Sequence, residues 1–179
     1  MTKFLLTSIL VLGLAIVGVA NADELPDPRC FKVEGSIIGQ DEIGMTNGGL
    51  RVDLRMEGVT VDGLLMGLTG TASSRNLIRH DGVAEFDMRM FGTLPTGGTI
   101  AFTVFGYGPP AGPTLAEMLE AMADPDFVQP DVYEPWHAAA RFETMIPEYA
   151  FLNHSVYWLV GEANMATGHM RFTYCPIAP

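Results

Sequence analysis

Apolar and polar residues alternate along much of this chain, and the clearest run is 83–91. There Ala84, Phe86, Met88 and Met90 fall on one side of an extended strand, and Glu85, Asp87 and Arg89 on the other. Asp81-Gly82, a dipeptide that tolerates positive φ, turns the chain into it. Similar segments surround it. Residues 30–38, 50–56, 99–105, 138–145 and 168–174 read as strands. Residues 59–71 carry Gly63, Gly67 and Gly70 and read as a bent strand or a bulged hairpin. Residues 155–160 are apolar on both faces, which predicts a strand buried on both sides or lying against a helix. Residues 40–49 and the polar 73–76 read as loops, and 147–153 as a connector.

One helix is predicted, over 114–123. Prolines 109, 110 and 113 end the strand before it. Thr114 is placed to cap, with Glu117 at capping-box spacing. Leu115, Met118, Leu119 and Met122 form an i, i+3, i+4, i+7 stripe, and Asp124-Pro125 closes the element. About eight or nine short strands with turns between them predict a sandwich or a barrel. The glycines inside strands, the single late helix and the placing of the cysteines favour a mainly β fold, a closed or nearly closed antiparallel barrel.

Composition adds a compartment. Lys3, the apolar run 4–19 and Ala20-Asn21-Ala22 predict a signal peptide over 1–22, cleaved before Asp23. An uncleaved membrane anchor is the alternative, although the switch to acidic, Pro-rich sequence favours cleavage. Residues 23–29 then form a flexible lead, and 30–179 a single domain, exported to the periplasm or secreted. The formal charge of −11 argues against nucleic acid or anionic membrane as a partner. The two cysteines, Cys30 and Cys175, sit at opposite ends of the domain. In an exported chain they predict a disulfide, which requires the first and last strands to be neighbours.

The candidate chemistry is concentrated in two strands. Asp87 and Arg89 share a face of one; Arg141 and Glu143 share a face of the other. Such a row is either a solvated outer surface or the lining of a barrel mouth, where small barrels hold one ligand. In the second case Phe86 and Met88 would pack under the helix. The histidines at 80, 137, 154 and 169 have no ligand-like spacing, so no metal or cofactor is expected. Ten phenylalanines and many methionines supply a soft apolar interior.

The motifs Asp81-Gly-Val-Ala-Glu-Phe-Asp-x-Arg89, Arg141-Phe-Glu-Thr144, Pro147, Tyr149, Leu152-Asn153-x-Ser155 and Gly161 lie in an order and spacing that resembles the domain-of-unknown-function 3237 family, formerly uncharacterised protein family 0311. Gly44, Gly49-Leu50-Arg51, Gly58 and Gly63 extend the resemblance toward the N-terminus. It implies a calycin-like β-barrel with a pocket and no assigned reaction. Ser74 and Arg75 depart from it, standing where the family often has Asp-Trp. The expected function is binding of a small apolar or amphipathic molecule in the barrel mouth. Tyr107, Trp136 and Trp158 would form aromatic walls, with Asp87, Arg89, Arg141, Glu143 and Asn153 as polar contacts. The alternative is a cofactor-free isomerase, cyclase or hydrolase using Asp87 or Glu143 as acid/base.

Overall fold

Eight antiparallel strands close on themselves in chain order. They are β1 (Phe31–Thr46), β2 (Gly49–Gly63), β3 (Thr69–Arg79), β4 (Val83–Thr93), β5 (Thr99–Pro110), β6 (Glu134–Thr144), β7 (Val156–Asn164) and β8 (His169–Pro176). The computed structural model describes residues 25–110 and 113–177; the signal segment expected over 1–22 lies outside the described residues. Closure comes from β1 pairing with β8, from Phe31 opposite Tyr174 to Ser36 opposite His169. The Cys30–Cys175 disulfide clamps the end of that seam, joining positions 145 residues apart in sequence. No helix among the described residues is long and apolar enough to cross a membrane.

Period-2 geometry sends alternate residues inward and outward around the whole barrel. On β4, Phe86, Met88 and Met90 are buried inside, while Asp87 and Arg89 face out. The expected packing of this apolar face under the helix is therefore corrected: it faces the barrel axis. The strands bend enough to close through bulges, three of them in the β1–β2 ladder, one in β2–β3 and one in β4–β5. Glycine inside a strand also has a packing use. Gly161 lies opposite Phe172, whose ring covers it, and a Cβ there would overlap that ring.

Several boundaries move. Residues 40–46 belong to β1 and 73–76 to β3, since each ladder partner continues alongside and satisfies their backbone groups. The apolar 155–160 segment is not buried on both sides. Tyr157 and Leu159 point inward, but Val156, Trp158 and Val160 are exposed on the outer wall. The connector 147–153 is a 3-10 helix, Pro147–His154. Residues 25–29, expected to be a flexible lead, form a turn in which Cys30 N–H donates to Asp27 O at 2.9 Å. The Arg29 guanidinium beside it holds the Asp27 carboxyl down at about 2.

The helix α1 (Leu115–Met122) has the expected capping box. Glu117 N–H donates to the Thr114 hydroxyl at 3.4 Å, and Thr114 N–H to the Glu117 carboxylate at 2.7 Å. Its start is pinned to the β3–β4 turn, where Leu115 N–H donates to His80 O at 3.3 Å. Gly82 in that turn has φ +84°, and a Cβ there would strike Pro113 O. Leu115 alone of the apolar stripe is fully buried; Leu119 and Met122 are exposed.

The end of the barrel near the disulfide is filled with rings. Phe31 stacks on Tyr174 at 4.8 Å, and Phe142 meets Phe102 at 4.7 Å and Tyr157 at 4.9 Å edge to face. Such pairs are worth about 0.5–1.5 kcal/mol each beyond their area. The hydroxyls of Tyr157 and Tyr174 are buried there with no hydrogen-bond partner among the described residues. Burial raises both above the ordinary tyrosine value of 10.0.

Two outcomes are expected. Cys30→Ser/Cys175→Ser should lose up to roughly 4–5 kcal/mol, the chain-entropy value for so long a loop, in denaturant unfolding against the oxidised protein. The tyrosines predict an alkaline limit. With the folded value above the unfolded one, their contribution is complete below about pH 10 and disappears as pH rises through the raised folded value. Tyr174→Phe should leave neutral-pH stability unchanged or raise it by about 1 kcal/mol, because the orphaned hydroxyl is removed. It should also flatten the decline above pH 10, measured as unfolding midpoints from pH 8 to 11.

Candidate functional site

The residues expected to bind ligand separate into two groups by strand parity. Asp87, Arg89, Arg141 and Glu143 lie on the outer wall, and among the described residues none of the four forms an ion pair. Neither of the two interior cavities is lined by any of them. The reading that puts this charged row in the barrel mouth is corrected, and with it the acid/base roles of Asp87 and Glu143. The physical reason is that one face of each strand must fill the interior. On β4 and β6 the apolar set, Phe86, Met88, Met90, Ala138, Ala140 and Phe142, does so.

Tyr107 and Trp158 are also outside, 45% and 47% exposed. Trp158 packs near His137, and Tyr107 edge to face with Phe105. They form an external aromatic band across β5–β7 rather than pocket walls. Asn153 holds the 3-10 helix to the end of β6. Its Oδ1 accepts from Thr144 N–H at 2.8 Å, and its Nδ2 donates to Thr144 O at 2.9 Å. That is a complete backbone-like pairing, and it makes Asn153 an architectural residue.

Trp136 is the member of the expected set that faces inward. Phe86 meets it edge to face at 5.0 Å, and its six-membered ring lies against Gly108 on the neighbouring strand. It lines a cavity of about 30 Å³ together with Ser74, Asn76, Met56, Met88 and Met170. A second void of about 20 Å³ lies deeper, toward Tyr174. Met56, Met88, Met170 and Phe172 border both. A water needs about 10–15 Å³ by this measure, so the first cavity has room for about two. The half of the interior away from the disulfide is thus loosely filled and rich in methionine, where the other half is tightly ringed.

The polar groups of the cavity come from the stretch read as a loop. In β3, Gly70, Ala72, Ser74 and Asn76 face inward, and Thr71, Ser73 and Arg75 outward. The signal was there as period-2 alternation of small against larger polar residues, hidden by the absence of large apolar side chains. Ser74 and Asn76 are buried. Ser74 Oγ–H donates to Asn76 Oδ1 at 3.2 Å, and Asn76 Nδ2 donates to Val52 O at 3.2 Å and Ser74 O at 3.3 Å. The Trp136 indole N–H, shielded from solvent, has no acceptor among the described residues.

No family model matches the chain, and no curated protein matches it. Solved structures with the same fold exist. A conserved protein of unknown function from Rhodopseudomonas palustris superposes with TM-score 0.62 at 19% identity, covering 83% of this chain and 94% of that one. A protein with unknown function from Clostridium acetobutylicum gives 0.62 at 19%, over 84% and 97%. A beta-barrel like protein from Acinetobacter baumannii gives 0.59 at 23%, over 82% and 91%. At these identities the likeness is one of fold.

The Asn153 clamp makes a direct prediction. Asn153→Ala removes both bonds to Thr144 and should lower stability by about 1–3 kcal/mol. Denaturant unfolding of the variant against wild type measures it, and an unchanged midpoint would show that the clamp contributes nothing.

Proposed function

We propose that this protein is an exported small-molecule-binding barrel that receives a small apolar molecule in the methionine-lined half of its interior. The observation that carries the reading is the contrast between the two halves. Interlocked rings fill one end, whereas two voids meet at Met56, Met88, Met170 and Phe172 in the other. Methionine has three rotatable bonds and a polarizable thioether, so a wall of it re-packs around a guest at low cost. The voids as they stand are small. Binding therefore requires these side chains to swing and join them, a minor conformation that the guest makes dominant. Export rests on the leader sequence and agrees with the disulfide. The fold neighbours support the barrel itself, and the pocket rests on the two interior voids.

Methionine methyl groups report this directly. With ¹³C-methyl methionine, titration with cyclopentane, a small apolar probe, should give saturable shifts at Met56, Met88 and Met170. Met66 and Met145, exposed on the outside, should stay still. Equal small shifts at every methionine, or none that saturate, would overturn the reading.

A further inference from the structure

The polar groups of the cavity specify more than an apolar guest. Resting on the interior-binding reading, we propose that the barrel selects a neutral molecule that is apolar except for one oxygen acceptor, of carbonyl or ether type, held by the indole N–H of Trp136.

Charge is excluded by the lining. No Asp, Glu, Lys, Arg or His borders either void. An ion entering there would lose its hydration with nothing to replace it, a cost far larger than one hydrogen bond returns. The guest is therefore uncharged.

The hydrogen-bond inventory then sets the one polar group. Both amide hydrogens of Asn76 are used, on Val52 O and Ser74 O, and its Oδ1 accepts the Ser74 hydroxyl. That pair is nearly self-contained and offers a guest no free donor. Trp136 is the opposite case. An indole is a donor only. Its N–H is buried with no partner among the described residues, and the residue lines a cavity whose wall is otherwise almost wholly apolar. An unmet buried donor is a standing cost, and a guest oxygen that accepts from it removes that cost at the moment of binding. A hydrocarbon of the same shape cannot. The site thus discriminates by the rule that a donor built into an apolar wall disfavours the analogue lacking its partner.

Phe86 edge to face and Gly108 beneath the six-membered ring hold the indole, so its N–H direction is preorganised. Outside the barrel, Trp158 has an indole exposed to water and serves as an internal control.

The test uses the intact, disulfide-bonded protein with ¹⁵N-labelled tryptophan and ¹³C-methyl methionine, titrated with cyclopentanone and with cyclopentane. These probes share a ring and differ by one carbonyl oxygen. Cyclopentanone should bind about three- to tenfold tighter than cyclopentane, the ratio one hydrogen bond supplies. It should also move the Trp136 indole resonance downfield and leave that of Trp158 in place. Trp136→Phe should bring the two affinities together while the methionine methyls still respond to both probes. Equal affinities, or binding of the ketone with an unmoved Trp136 indole (the result if water holds the N–H), would overturn the acceptor assignment and leave the interior-binding reading standing. Methionine methyls that respond to neither probe would overturn both. Should Trp136→Phe fail to fold, the wild-type affinity ratio and indole shift decide the matter alone.

Discussion

Everything in this molecule follows from closing one sheet on itself. Once β1 pairs with β8, no strand between them keeps a free edge along that height, and every strand acquires one inner and one outer face. Closure converts residue parity into an inside–outside partition with no intermediate choice. It also explains the placement of the two cysteines. Cys30 and Cys175 flank the seam at the same end, so the covalent bond and the last rungs of the β1–β8 ladder secure the same contact. A barrel opened at that seam would expose both an unpaired edge and its aromatic core, which is how open sheets come to aggregate.

Within the closed wall the interior is uneven, and the unevenness is written in residue type. Phe31, Phe102, Phe142, Tyr157 and Tyr174 interlock at the disulfide end, with contacts too many and too directional to re-pack. Toward the other end the inward positions pass to methionine, serine, asparagine and alanine, which leave gaps. Stability and adaptability are thereby given to different ends of one core. The rigid end fixes strand register, and the soft end can change shape without unthreading the barrel.

Much of this architecture was legible in the sequence, but not the sign of its faces. The alternation in β4 identified a strand and separated Phe86, Met88 and Met90 from Asp87 and Arg89. It left open which set lined the cavity, because a row of acids and arginines suits either a wet exterior or a polar mouth. Packing decides it: an eight-stranded barrel has room inside for side chains and little else. A charged row there would need every member paired, whereas the apolar row simply fills the space. Residues 73–76 failed for the opposite reason. Ser-Ser-Arg-Asn has no strand propensity to speak of, and only ladders on both sides hold it extended. The helix was visible from its capping box, a local device. Its exposed stripe was not, since the fate of an amphipathic face depends on a partner the sequence does not name.

The same logic explains why a polar group can sit without a protein partner in so closed a structure. The barrel meets most of its backbone obligations through neighbouring strands, so little side-chain polarity is needed inside. Ser74 and Asn76 cancel one another at little cost. Trp136 does not: a phenylalanine in its place would meet Phe86 and Gly108 with no donor to satisfy. An unmet buried N–H costs about 1–3 kcal/mol. On the proposed reading, a guest acceptor would return roughly that sum. The tightly ringed, disulfide-bound end makes such a deficit tolerable, and the voids lie in the methionine-lined end away from it.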